Sequence, residues 1–172
     1  YTAGMTALNV SVPPEYRVDM DTLNRALNDP AARRDMRARM STPQGYENYI
    51  LNSGGFSGVY VSSCPEFHGA EGMRVSEYAS LAGQDEFDAY FDILAKNHGL
   101  GLAVYFHMSE RDVRDIAAYR HTVVGTDGLP ASMEENGHPR AFGSFPRAIC
   151  AYVKEQKLFT LEQMIHRMTG MT

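Results

Sequence analysis

The sequence predicts an α/β fold, and two apolar stretches with a helix between them carry that prediction. Leu100 to Phe106 is an apolar run with the character of a strand buried on both faces. Thr122-Val123-Val124-Gly125 reads as a second, shorter buried strand. Between them Ser109-Glu110-Arg111-Asp112 opens a helix with Ser109 as its cap. Strand, helix, strand, loop, helix is the order of βα units with parallel strands. A closed (β/α)8 barrel takes about 250 residues. This chain has 172 and too few strands, so the pattern fits a piece of such a barrel or an open α/β sandwich.

The first part of the chain is mainly helical. Tyr1 to Val12 is an apolar opening stopped by Pro13-Pro14, and Met20, Leu23, Ala26 and Leu27 then recur at helical spacing. Asp29 caps a second helix whose first position suits Pro30, and that helix runs to about Met40. Gly58 to Ser63 has strand character, and Ser76 to Leu81 is a short helix stopped by Gly83. Gln84 to Asn97 is amphipathic, with Phe87, Tyr90, Phe91, Leu94 and Ala95 on one face. Residues 1–99 do not alternate strand with helix and read as an insertion or lid. Residues 100–172 read as the βα part, closed by helices at about Phe145 to Glu155 and Leu161 to Met168, the latter capped by Thr160 with Gln163.

A net charge of −5 argues against a general binder of nucleic acid or anionic membrane, since both need clustered positive charge. The basic group Arg33, Arg34, Arg37 and Arg39 is interleaved with acids and reads as a solvated helix face. Cys64 and Cys150 are far apart, lack metal-ligand spacing and read as buried free thiols, in keeping with a cytoplasmic setting. No apolar run is long enough to cross a bilayer. The chain starts at Tyr1 and stops at the end of a helix, so both ends read as cut.

Asp127 is the sharpest chemical feature. It follows the expected second strand, and the carboxyl ends of strands are where α/β folds gather reactive groups. A carboxylate there can take a proton from a water and return it to a leaving amine. An Asp-Gly turn is the plain alternative. Arg140, in His138-Pro139-Arg140, could grip a carboxylate through two parallel hydrogen bonds, or could be a solvated loop arginine.

Gly125-Thr-Asp-Gly-Leu-Pro130 followed by His138-Pro-Arg-Ala-Phe-Gly-Ser-Phe-Pro-Arg147 resembles the N-acyl-D-amino-acid deacylases of the amidohydrolase superfamily. The similarity extends to Tyr105-Phe-His-Met-Ser-Glu-Arg-Asp-Val113 and to Leu161-Glu-Gln-Met-Ile-His-Arg-Met-Thr-Gly170. Tyr1 to Leu8 looks like the tail of a strand motif of the family and Asn28 to Arg33 matches its insertion, while residues 45–99 match only loosely. The resemblance implies a zinc-dependent hydrolase, built on a (β/α)8 barrel, that cleaves N-acyl-D-amino acids. It assigns water activation and nitrogen protonation to Asp127, the substrate's α-carboxylate to Arg140, and side-chain contacts to Tyr105 and Met108. The family's cysteine and histidine metal ligands lie upstream of the matched segment, so the chain is expected to hold no metal and to be inactive alone. Cys64 with His68 offers two ligands, short of the usual three or four. Met5 stands where some relatives have a serine, which leaves substrate preference open. Open strand edges suggest self-association. A related amidohydrolase acting on a cyclic or other N-acyl amide, or a non-catalytic binding module, are the alternatives.

Overall fold

The computed structural model describes residues 1–43, 45–128 and 138–171. They form two compact units, Ala3–His107 and a second made of Tyr1–Thr2 with Met108–Thr172.

The first unit is organised around a three-stranded sheet of β1 (Gly4–Ala7), β2 (Val59–Ser63) and β3 (Leu102–Tyr105), in the order β1-β3-β2. Both pairings are antiparallel, which corrects the parallel arrangement expected for β3. Apolar content reports burial, not direction. Ala103, Val104 and Tyr105 are buried because β3 lies between two strands, and either direction would produce the same run of residues. The outer edge of β2 is partly covered: Val61 N–H donates to the Met73 carbonyl at 2.9 Å, and Gly72 N–H donates to the Val61 carbonyl at 3.0 Å.

Helices α1 (Met20–Leu27), α2 (Pro30–Met40), α3 (Tyr49–Asn52), α4 (Val75–Ala82) and α5 (Glu86–Lys96) complete this unit. Their starts follow local chemistry. The carboxylates of Asp19, Asp29 and Asp85 and the amide oxygen of Asn48 each accept a first-turn N–H. From α5, Tyr90, Phe91, Ile93 and Leu94 enter the core alongside Leu8, Leu23, Leu27 and Met36.

The arginine cluster of α2 is the solvated face expected only in part: Arg34 and Arg37 are exposed, while Arg33 is half-buried. Arg33 pairs with Asp92 at 2.8 Å and lies 5.7 Å from the Phe91 ring centroid, while Arg37 pairs with Asp85 at 2.8 Å and lies 5.0 Å from that of Phe87. Arg39 pairs with Glu15. Asp92 and two rings of α5, with its capping residue Asp85, thus answer two of the charges of α2, a match set by packing and invisible in either helix alone.

In the second unit, Ser109 caps α6 (Glu110–Ala118) by accepting the Asp112 N–H at 3.0 Å. Residues 122–128 form no strand, and Val123 is 39% exposed. This corrects the second buried strand expected before Asp127. No ladder holds the segment. Instead, the Arg167 guanidinium donates to the carbonyls of Ala117, Tyr119 and Thr122, and Val124 N–H donates to the Arg167 carbonyl at 3.1 Å.

Helix α7 (Arg140–Ala148) starts five residues before the expected Phe145 and runs into a π-helical segment, Ile149–Glu155. Pro146 lies inside α7. Proline cannot donate to the preceding turn and crowds the carbonyl four residues back, a local disturbance of the kind that accompanies wider winding. Cys150 lies on the exposed side of this segment, its Sγ 3.3 Å from Glu155 Oε1, so only Cys64 is the buried thiol expected. Helix α8 (Leu161–Met168) is capped by Thr160 and Gln163 in reciprocal hydrogen bonds, as expected. A small core of Ala148, Ala151, Tyr152 and Met164 holds the unit together.

Candidate functional site

Four backbone N–H groups at the start of α7 need partners, as at any helix N-terminus. Two residues supply all of them. The ring Nδ1 of His138 accepts the Arg140 N–H at 3.0 Å, and its carbonyl accepts that of Ala141 at 3.2 Å. The Pro139 carbonyl accepts those of Phe142 and Gly143, at 3.2 and 2.8 Å. Arg140 is therefore the first residue of a well-anchored helix. Side chains there lean back towards the N-terminus, and Asp127 lies within reach.

Asp127 has left-handed backbone geometry, φ 45°, which aspartate tolerates better than most residues. Thr126 Oγ1 accepts the Gly128 N–H at 3.3 Å, so the stretch is also a local turn. The next residue, Gly128, makes a close backbone approach that a side chain would tighten. A Cβ on Gly128 would lie 3.2 Å from the Ala141 Cα and 3.3 Å from the Arg140 carbonyl oxygen, both of them backbone. Asp127 thus sits hard against the first turn of α7.

The two residues singled out from sequence meet there. Arg140 Nη1 lies 3.0 Å from Asp127 Oδ2. Their surroundings differ sharply: the arginine side chain is 15% exposed and the aspartate 88%. The Arg140 Nε is buried, with no hydrogen-bond partner among the described residues. An unpaired buried guanidinium nitrogen is costly, and a carboxylate is the group best shaped to satisfy it. The arrangement places a buried, unsatisfied guanidinium N–H beside an exposed carboxylate that can accept a proton.

Tyr1 completes this region. Its ring stands edge-on to His138 with centroids 5.0 Å apart, and the Arg147 guanidinium lies 5.0 Å from the tyrosine's ring centroid.

Tyr105 belongs to the first unit and is wholly buried. Its hydroxyl donates to the Leu8 carbonyl at 3.0 Å, and Tyr90 donates to the same oxygen at 2.7 Å. Burial raises both phenols, that of Tyr90 well above the ordinary value. Met108 is 43% exposed, and its N–H donates to the Thr2 carbonyl at 3.1 Å. His107 is half-buried, edge-on to Tyr49 at 5.2 Å.

Sequence reasoning gave no separate role to His138 or Gly128, and placed Tyr90 on an apolar helix face without its hydrogen bond. For His138 there was a faint signal, an acceptor-bearing side chain placed just before a helix start.

The described residues do not fit a metal. No three histidine, cysteine or acidic side chains among them converge. Burial first, and the Glu71 charge second, push the Cys64 thiol up to about 12. His68 Nδ1 is taken by Glu71 Oε2 at 2.9 Å. That hydrogen bond does not disqualify the ring, but the thiolate that a Cys64–His68 site needs is not on offer.

No family model matches the chain. A D-aminoacylase of Alcaligenes xylosoxydans xylosoxydans is 35% identical over 112 residues, which is 65% of this chain and 22% of the relative. The N-acyl-D-aspartate deacylase of the same organism is 44% identical over 102 residues, 59% of this chain and 19% of the relative. Among solved structures, the N-acyl-D-glutamate deacylase of Bordetella bronchiseptica, complexed with zinc and a phosphonate mimic of the tetrahedral intermediate, superposes with a TM-score of 0.61. It is 24% identical, over 99% of this chain and 26% of its own. A D-aminoacylase described as defining a novel subset of amidohydrolases gives 0.60 at the same identity and coverage. The chain therefore shares its fold with a segment of these two structures. By sequence the chain is a relative of the N-acyl-D-amino-acid deacylases, and it spans about a fifth of the length of the curated relatives it matches.

Proposed function

We propose that this chain supplies the general acid–base and the carboxylate-binding residue of an enzyme that hydrolyses N-acyl-D-amino acids to a carboxylate and a free D-amino acid. The observation that carries the reading is the meeting of Asp127 and Arg140 at 3.0 Å, with the Arg140 Nε still unpaired. The relatives' names supply the substrate class, a small N-acyl-D-amino acid.

In this reading Arg140 holds the substrate's α-carboxylate and so orients the scissile amide towards Asp127. Asp127, exposed and acceptor-only when ionised, takes a proton from the attacking water and delivers it to the departing nitrogen. Tyr105 and Met108 are the family's substrate side-chain contacts carried onto this chain. Residues 1–99 form an insertion, and 100–172 contribute to a (β/α)8 barrel in the longer protein. Zinc belongs to residues outside those described, and no step here is assigned to it.

The chain by itself is then inactive. Purified and supplied with zinc, it should release no D-glutamate from N-acetyl-D-glutamate; turnover by the chain alone would overturn this part of the reading. In a longer protein containing it, Asp127→Asn should lower kcat by about 10²- to 10⁴-fold. Arg140→Ala should raise KM for the carboxylate substrate and leave the matching carboxamide unaffected. An equal effect on both substrates would remove Arg140 from carboxylate recognition.

A further inference from the structure

We propose that His138 is a positioning residue for Arg140, acting as a neutral imidazole whose ring nitrogen fixes where α7 begins. His138 is 4% exposed. Its Nδ1 receives the Arg140 N–H at 3.0 Å. A ring nitrogen that accepts cannot also carry a proton, so the ring is held as the tautomer protonated on Nε2. Tyr1 braces the motif from one side: its ring stands edge-on to the imidazole, and its hydroxyl donates to the Pro139 carbonyl at 3.4 Å.

The consequence is geometric. Pro139 occupies the cap position, and its side chain makes no capping hydrogen bond. The residue before it therefore does the work usually done by a capping Asp or Asn. With the ring anchoring the Arg140 N–H and the carbonyl anchoring the Ala141 N–H, the first residue of α7 is held on two sides. Its guanidinium then reaches Asp127 at 3.0 Å. Without the ring acceptor, the Arg140 N–H loses its partner, the first turn frays and the arginine loses its fixed direction. The effect on substrate recognition rests on the proposed role of Arg140 as the carboxylate-binding residue; the positioning itself does not.

The test uses the isotopically labelled chain, observed by NMR. At neutral pH the His138 ring should show an unprotonated Nδ1 and a protonated Nε2. Three variants separate the acceptor from bulk. His138→Asn keeps an oxygen near the place of Nδ1, His138→Gln moves it one bond further out, and His138→Ala removes it. The Asn variant should keep the wild-type Arg140 Nε–H exchange and the amide exchange of Ala141 to Gly143. The Gln and Ala variants should exchange about five- to tenfold faster at both places. Should the Ala variant fail to fold, the contrast between Asn and Gln decides. A ring protonated on Nδ1, or Asn and Gln variants that behave alike, overturns the proposal. Titration with N-acetyl-D-glutamate keeps the two readings apart. If the tautomer and the variant pattern hold while the Arg140 Nε–H signal ignores this ligand, the positioning role stands and the carboxylate-binding role falls.

Discussion

Replacing Gly128 with alanine should separate the first turn of α7 from Asp127, and its size can be worked from two distances. The new Cβ would lie 3.2 Å from the Ala141 Cα and 3.3 Å from the Arg140 carbonyl oxygen. Ordinary carbon contacts fall at about 3.5–4.0 Å, so something must move by a few tenths of an ångström. Both neighbours are backbone atoms of an anchored helix start, which yields less readily than a side chain. Overpacking of this kind costs about 1–3 kcal/mol. A glycine-to-alanine change recovers about 0.4–1 kcal/mol by restricting the unfolded chain. The net expectation is a loss of about 1 kcal/mol. The ion pair adds little to this, because Asp127 is almost fully exposed.

Gly125→Ala is the internal control. A Cβ there meets nothing within 4 Å, so the entropic gain stands alone and the variant should be neutral or slightly more stable. Urea unfolding followed by circular dichroism gives the stabilities, and hydrogen exchange over residues 140–143 gives the local response. Equal stabilities for the two variants, or unchanged exchange at the start of α7 in Gly128→Ala, would refute the close-approach reasoning.

Two further predictions concern the first unit. Burial alone would raise the Asp92 carboxyl, but hydrogen bonds from Arg33 and Gln84 and the Arg33 charge together hold it below the ordinary range. The stabilisation is therefore complete above about pH 4, the usual aspartate value, and is lost as the pH falls through the lowered folded value. Arg33→Ala should cost about 1–2 kcal/mol at pH 7, and the gap to wild type in urea midpoints should narrow at pH 3. A pH-independent gap would assign the effect instead to contacts that do not titrate, the Arg33 hydrogen bond to the Leu27 carbonyl and its packing on Phe91. Tyr90→Phe and Tyr105→Phe each remove one of two hydroxyls that donate to the Leu8 carbonyl. Each should cost about 1 kcal/mol, and the double variant about 1 kcal/mol more than their sum, measured as a double-mutant cycle. Strict additivity would show that the two donors do not share that oxygen.

Helix starts were the most legible part of this chain. Asp29 before Pro30, Ser109 before Glu110, and Thr160 with Gln163 all cap as their spacing suggests. Each cap is settled within four residues, where sequence neighbours are also spatial neighbours. The strands were less legible. A buried run such as Ala103-Val104-Tyr105 reads the same beside parallel or antiparallel partners, and Thr122 to Gly125 has strand composition but pairs with no strand among the described residues.

Asp127 and Arg140 could be named from the sequence, through their residue types and their family motifs. Their contact could not. It depends on a left-handed Asp127, a glycine that lets backbone approach backbone, and a histidine that anchors the start of α7. It also draws on Tyr1, whose hydroxyl reaches Pro139 from the far end of the chain. Likewise, Arg33 and Arg37 of α2 gave no sign in the sequence of the partners they meet, Asp92 and the rings of α5 and its capping Asp85. The sequence by itself determined which side chains were present and where local hydrogen bonds would start helices. Tertiary structure decided strand direction and which charges meet, because both depend on where the chain returns in space.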